Sequence, residues 1–169
     1  GILAKNNKAR VLEAAEIISS GVFGGESVWL GSAIQSTDAK VLKMVKRSNI
    51  DADTMVKVAN ESETHASNQF SELILALPGD SRKSHFKSVC DLMETGVNVV
   101  RSHQYIMLGG SEAATGKGRA EYHPLTKFRV MPHTMNSYSL FGHDISVPEV
   151  DEICVGNDTM TFADYEECR

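Results

Sequence analysis

The chain has 169 residues, of which 41% are hydrophobic and 23% are charged. This length supports one hydrophobic core, and the composition is that of an ordinary globular domain, which excludes a disordered, collagen-like or low-complexity chain. No segment approaches the roughly eighteen uninterrupted apolar residues of a membrane-spanning helix, and the N-terminus lacks the pattern of a secretory leader. We therefore expect no membrane span.

The charges are segregated along the chain. Residues 1–100 carry 11 basic and 12 acidic side chains, residues 101–143 carry 5 and 2, and residues 144–169 carry 1 and 8. The net charge of −5 thus combines a neutral body, a basic stretch and an acidic tail. Such segregation favours association between the two charged segments, within one chain or between chains.

Three cysteines, Cys90, Cys154 and Cys168, form an odd set in a chain long enough to fold without cross-links. A reducing, intracellular (cytoplasmic) location is the expectation. An alternative, in which Cys154 and Cys168 close a short loop in an oxidising compartment, stays open.

Residues 7–108 show apolar side chains at helical spacing. One helix is expected after Asn7 and ends at Gly21, and a second begins at Ser36 or Thr37. The longest helix is predicted to open at Asp51 or Asp53. Its apolar stripe is Met55, Ala59, Ala66, Phe70, Leu73 and Leu77, before the Pro78-Gly79 break.

A further helical pattern runs from Ser81 to Met107, with Gly96 as a point where it divides into two. From Ser111 onward, glycine and proline interrupt the chain. There we expect a loop, one or two short strands and a final helical turn or two from about Thr161. The predicted fold is mainly α, a four- or five-helix bundle over residues 1–109. Residues 110–169 form an extended, partly irregular arm within the same single domain.

No motif predicts a metal or a cofactor. The glycine-rich segment 109–118 has five residues where a phosphate-binding loop needs four, and it lacks the Ser or Thr after Lys117. Segment 153–164 resembles the later half of an EF-hand, but Ile153 and Val155 occupy positions where calcium needs oxygen ligands. The six histidines are scattered without the spacing of zinc ligands.

The favoured function is a non-enzymatic, self-associating structural or scaffold protein of the coat or nucleocapsid type. The arm carries apolar residues without a self-sufficient pattern, and arms of this kind gain burial against another copy. Its acidic part is expected to meet a basic surface of a neighbouring subunit, either the Arg101 to Arg129 stretch or the set Lys40, Lys43, Lys46 and Arg47. The expected subunit contacts are Phe128, Val130, Phe141, Ile145, Glu149, Asp151, Glu152 and Asp164.

Two alternatives come from other classes. A nucleic-acid-binding module would use the basic 101–129 stretch, in which cationic side chains neutralise phosphates and interleaved aromatic rings stack on bases. Its contact residues would be Arg101, Lys117, Arg119, Lys127 and Arg129. The other alternative is a small enzyme whose site is assembled from scattered His, Asp and Cys residues, for which no sequence motif argues.

Overall fold

The structure is a computed structural model that describes residues 2–4, 13, 17, 29–48 and 68–169. Within these ranges it contains a parallel sheet flanked by helices and a long antiparallel hairpin. The predicted helical bundle is wrong. The first predicted helix and most of the longest one lie outside the described residues, apart from Glu13 and Ile17, which are helical and exposed.

Four parallel strands form the sheet in the order of the chain. They are β1 (Ile2–Ala4), β2 (Trp29–Gln35), β3 (Asn68–Leu75) and β4 (Val99–Gln104). Strands of a parallel sheet are commonly covered on both faces and then read as apolar runs without alternation, whereas Arg101, Ser102 and His103 of β4 are exposed. In β3, Ser71, Leu73 and Leu75 are buried together with Ala76 and Leu77 beyond its end.

Strand β3 overturns the end of the longest predicted helix. Phe70 and Leu73 belong to the strand, and Leu77 lies in the loop that follows it. Their spacing of three and four residues fits a helix by accident, because a strand buried on both faces imposes no period of its own. Strand β4 likewise replaces the second half of the pattern predicted from Ser81 to Met107.

Two helices join these strands. Helix α1 (Ala39–Met44) starts at the N-cap Asp38, whose side chain accepts hydrogen bonds from the N–H groups of Lys40 and Val41. The predicted N-caps Ser36 and Thr37 thus lie just before the true one. Helix α2 (Arg82–Glu94) starts at the N-cap Ser81 with a reciprocal capping box.

Helix α2 packs on the sheet through a face spaced at helical intervals. His85, Ser88 and Leu92 are buried there, and Leu92 joins Ile34 and Leu73 in one core cluster. The chain then turns at Gly96, whose φ is +80°, and enters β4. Gly96 therefore separates a helix from a strand, where the sequence suggested two helices.

The C-terminal part contains the two longest strands of the described chain. A 3-10 turn (Glu112–Ala114) and helix α3 (Gly116–Tyr122) lead into β5 (Leu125–Leu140), which returns as β6 (His143–Gly156). Helix α4 (Phe162–Cys168) closes the sequence, and its N-cap is Thr161 as predicted. The sequence therefore predicted this last helix correctly and understated the strands before it.

The base of the hairpin is built into the core of the same chain. The N–H of Cys154 donates to the carbonyl of Tyr105 at 2.8 Å, and the N–H of Met107 donates to that of Glu152 at 2.9 Å. A second core cluster forms here. Its buried members are Leu75, Ala76, Met107, Ala113, Ile153, Cys154, Val155, Met160 and Tyr165. These nine side chains are therefore shielded within one chain, without a partner.

All three cysteines are free thiols, so the structure contains no Cys154–Cys168 bond. Cys154 is buried, its Sγ lies 3.1 Å from the carbonyl oxygen of Gly156, and burial raises the pKa of its thiol. None of the helices in the described ranges has the length and apolar character that crossing a membrane requires.

Candidate interaction surface

The outer half of the hairpin has a register fixed by its turn. Phe141 and Gly142 both have positive φ, 53° and 78°, and they connect Leu140 to its strand partner His143. A two-residue loop with two positive φ angles is the type I′ geometry that matches the twist of paired strands. This turn sets which side chains share each face, because a slip of one residue would exchange the faces.

One face of this outer half is apolar. Tyr138 lies opposite Ile145, Leu140 opposite His143, and Val147 opposite Asn136. Tyr138, Leu140, Ile145 and Val147 make up what we call the apolar hairpin face. Each of these four side chains is 44–51% exposed in the chain alone.

The opposite face is polar next to the turn, whereas the exposed Met135 and its partner Pro148 lie further from the turn on that face. Ser137 lies opposite Ser146 with their hydroxyl oxygens 3.0 Å apart, and the hydroxyl of Ser139 donates to the carboxylate of Asp144. Alternation of this kind is typical of a sheet with one face in water and the other against a packed surface. The described residues supply no such surface for the apolar hairpin face.

Further exposed apolar side chains lie at the turn and in the part of the hairpin beyond the register shift between Val130 and Met135, farther from the turn. Phe141 at the turn is 98% exposed, Phe128 is 73% exposed, and Val130 is paired with the exposed Val150. All four predicted apolar contact residues, Phe128, Val130, Phe141 and Ile145, are therefore accessible.

The predicted acidic contacts behave differently. Glu152 pairs with Arg119 through two hydrogen bonds of 2.8 and 2.6 Å, and Asp151 lies 3.2 Å from Arg129. The hydrogen bonds from Arg119, with a further one from Thr126, lower the pKa of Glu152 to about 2. These carboxylates therefore meet the basic 101–129 stretch within one chain.

The remaining two acidic residues also differ from each other. The carboxylate of Asp164 accepts from the N–H and the hydroxyl of Thr161 at 3.0 and 2.7 Å, which caps α4 and lowers the pKa of Asp164. Glu149 is exposed near the middle of β6. Of the four acidic residues, Glu149 is the one for which the described contacts show no role inside the chain.

The basic residues proposed for nucleic acid are distributed over several surfaces. Arg119 and Arg129 pair with adjacent residues of β6, and adjacent strand residues point to opposite faces of a sheet. Arg101 lies over the ring of Phe70 at 4.4 Å, and the ammonium of Lys127 lies 3.6 Å from the ring centroid of Phe162. Lys117 is exposed in the first turn of α3.

The predicted set of subunit contacts did not include Tyr138, Leu140 or Val147. The signal was present as alternation, because Tyr138 and Leu140 are two residues apart, as are Ile145 and Val147. Among the residues that the structure describes, no three His, Cys, Asp or Glu side chains come together in a way that would hold a metal ion.

No protein-family model matches the sequence, and no curated protein matches it as a relative. Among solved structures, the chain is similar to coproporphyrinogen III oxidase from Escherichia coli, a radical SAM enzyme. The TM-score is 0.42 at 13% identity, over 59% of this chain and 29% of that one. A similarity of this size assigns neither a fold family nor an activity.

Proposed function

We propose that the chain is a self-associating structural protein whose subunits meet through the apolar hairpin face. The observation that carries the proposal is the outer half of the hairpin, which presents apolar side chains on one face and hydrogen-bonded serines on the other. A two-stranded hairpin alone is at best marginally stable in water, so a covering surface would stabilise it.

A second copy of this chain is the occupant that we favour. A two-fold axis would place the apolar hairpin face of one copy against the same face of the other, so that apolar side chains meet apolar side chains. Completing the burial of a half-exposed Leu or Ile gains about 1 kcal/mol, so four side chains from each copy gain about 8 kcal/mol in all. A net gain of this size would correspond to a Kd of about 1 μM, and the entropic cost of association makes the expected dimer weaker than that.

Charge supports the same choice of partner. Glu149 is exposed on β6, and Lys40 and Lys43 are exposed on α1 of the same chain. In a dimer, these opposite charges from two copies would set register and encounter rate more than affinity.

The test compares two lysine substitutions on opposite faces of one hairpin. Ile145→Lys places a charge in the apolar hairpin face, and Ser137→Lys, the matched control, places the same charge on the polar face. We expect sedimentation velocity at concentrations from about 1 μM to about 1 mM to show dimer formation at the upper end for the wild type and for Ser137→Lys, and a monomer throughout for Ile145→Lys. A wild type that is monomeric throughout, or variants that behave identically, would contradict the proposal.

Nucleic-acid binding through the 101–129 stretch stays a prediction. A salt titration with single-stranded RNA tests it, because binding to phosphates weakens steeply as salt rises. Lys117→Ala would make the affinity for RNA depend less steeply on salt concentration. Absence of binding at low salt would contradict nucleic-acid binding by this stretch.

A further inference from the structure

Three polar side chains, from the loop after β3, from α2 and from β4, lie next to one another at one end of the sheet. The hydroxyl oxygen of Ser102, on β4, lies 3.2 Å from Nε2 of His85, on α2. Nδ1 of the same imidazole lies 3.5 Å from Oδ2 of Asp80, in the loop after β3. The order hydroxyl, imidazole, carboxylate is the arrangement by which a base activates a serine and a carboxylate orients the base.

The carboxylate of Asp80 is held in a fixed orientation. Its Oδ1 accepts from the N–H of Ser81 at 3.0 Å and from the hydroxyl of Ser84 at 2.7 Å, which leaves Oδ2 toward His85. Asp80 and His85 are both almost fully buried, so neither is free to swing away. The carbonyl of Asp80 also accepts from the hydroxyl of Thr159 at 2.6 Å, which ties this loop to the turn after β6.

Ser102 differs from its two partners because it is exposed and lines a cleft. The cleft has a volume of about 380 Å³ and lies where β3 and β4 end. Ligands in open parallel sheets commonly bind at the carboxyl ends of the strands. The residues that line it are Leu75, Ser102, His103, Gln104, Ile106, Arg129 and Arg169.

We propose that Ser102 is a nucleophile for the hydrolysis of small carboxylic esters, with His85 as its general base and Asp80 as a positioning residue. The cleft gives a substrate access to the hydroxyl, and burial of His85 and Asp80 keeps the base in one orientation. Catalytic hydrogen bonds in free enzymes are often long and tighten when substrate binds, which accommodates the 3.5 Å between His85 and Asp80. The proposal is independent of the subunit contact through the hairpin.

The chemistry balances with water as the co-reactant. The Ser102 oxygen forms a bond to the ester carbonyl carbon while its proton passes to Nε2 of His85. The bond from that carbon to the alcohol oxygen breaks, and the imidazolium returns the proton to the departing alcohol. Water then attacks the acyl-serine in the same way and releases the carboxylic acid and the free hydroxyl. The guanidinium of Arg129 also lines the cleft, where it donates hydrogen bonds to Gln104 and Asp151.

The experiment measures covalent labelling and turnover on the full chain. A fluorophosphonate probe is expected to add once, at Ser102 by peptide mass spectrometry, and p-nitrophenyl acetate to be hydrolysed above the rate in buffer. Ser102→Ala should abolish the adduct and lower hydrolysis by about 100-fold or more, and His85→Gln should do the same. Ser137→Ala, which removes another exposed hydroxyl, is the matched control and should change neither.

Asp80→Asn tests the positioning role through a split between kinetic constants. We expect kcat to fall with KM unchanged, because Asp80 orients His85 without touching the ester.

Circular dichroism of each variant shows whether it is folded. Absence of the adduct on folded wild type, labelling at another residue, or hydrolysis unchanged in folded Ser102→Ala would overturn the proposal. The same assays on Ile145→Lys, the variant expected to be monomeric, distinguish a failure of the proposed ester hydrolysis from a failure of the proposed dimer.

Discussion

Tyr138 and Ile145 lie directly opposite each other across the hairpin, and each leaves about half of its side chain in solvent, 51% and 44%. Cross-strand pairs of an aromatic and a β-branched side chain are among the more stabilising pairs of a sheet. The pair therefore stabilises the register of the hairpin and at the same time presents apolar surface. It exists only while the turn at Phe141 and Gly142 holds the register.

The turn gives the first prediction. Gly142 has a φ of +78°, and a Cβ there would meet no atom within 4 Å, so strain in the backbone is the cost of Gly142→Ala. We expect a loss of about 1 kcal/mol in the free energy of unfolding, measured by urea denaturation. Gly109→Ala is the matched control, because a Cβ there also meets nothing and its φ is not in the left-handed region. Equal losses in the two variants would contradict the turn geometry.

Helix α3 gives the second prediction, from two glycines in the same turn of helix. A Cβ on Gly118 would lie 2.2 Å from the carbonyl oxygen of Glu112 and 2.8 Å from Cα of Ala113, whereas one on Gly116 would meet nothing within 4 Å. Gly118→Ala should therefore cost about 1–3 kcal/mol by overpacking backbone against backbone. Gly116→Ala should be neutral or stabilising by up to about 1 kcal/mol. Thermal unfolding of the two variants side by side checks the difference.

The ion pair between Arg119 and Glu152 gives a prediction for acid. The pKa of Glu152 is lowered from its ordinary value to about 2, so the folded state holds this carboxylate charged where the unfolded state takes up a proton. Its stabilising effect is complete above about pH 4.5 and is lost as the pH falls toward 2. In Glu152→Gln, unfolding between these values should involve about one proton fewer than in the wild type. The measurement is urea denaturation at several pH values. If the free energy of unfolding depends on pH equally steeply in the variant and the wild type, the prediction is wrong.

The sequence predicted those elements whose signals are local. The predicted starts near Thr161 and at Ser81 are both N-caps in the structure, and their capping partners, Asp164 and Ser84, lie only three residues further along the chain. Burial of the strands, in contrast, is decided by distant parts of the chain. Phe70 and Leu73 are covered by elements far away in sequence, so their spacing alone did not distinguish a strand from a helix.

The candidate surface was predicted in part for a similar reason. Phe128, Val130, Phe141 and Ile145 were expected at a contact because they lacked a local pattern, and they are exposed. Asp151 and Glu152 were expected to meet basic side chains of another copy, yet Arg129 and Arg119 meet them first within the chain. Charge counts along a sequence favour such pairs but do not tell which fold brings them together.

The last prediction concerns His123, which ends α3 in the left-handed conformation with a φ of 42°. Its Nδ1 lies 2.7 Å from the carboxylate of Asp158, and this hydrogen bond raises the pKa of His123 above its ordinary value. The protonated form is favoured in the folded state, so the contribution to stability is present below about pH 6.5 and is lost as the pH rises through the raised pKa. Histidine resonances followed by NMR from about pH 5 to about pH 9 should show that the titration midpoint of His123 in the wild type lies above the ordinary histidine value. In Asp158→Asn the midpoint should fall back toward about 6.5, and a midpoint that does not move would show that the carboxylate is not the cause.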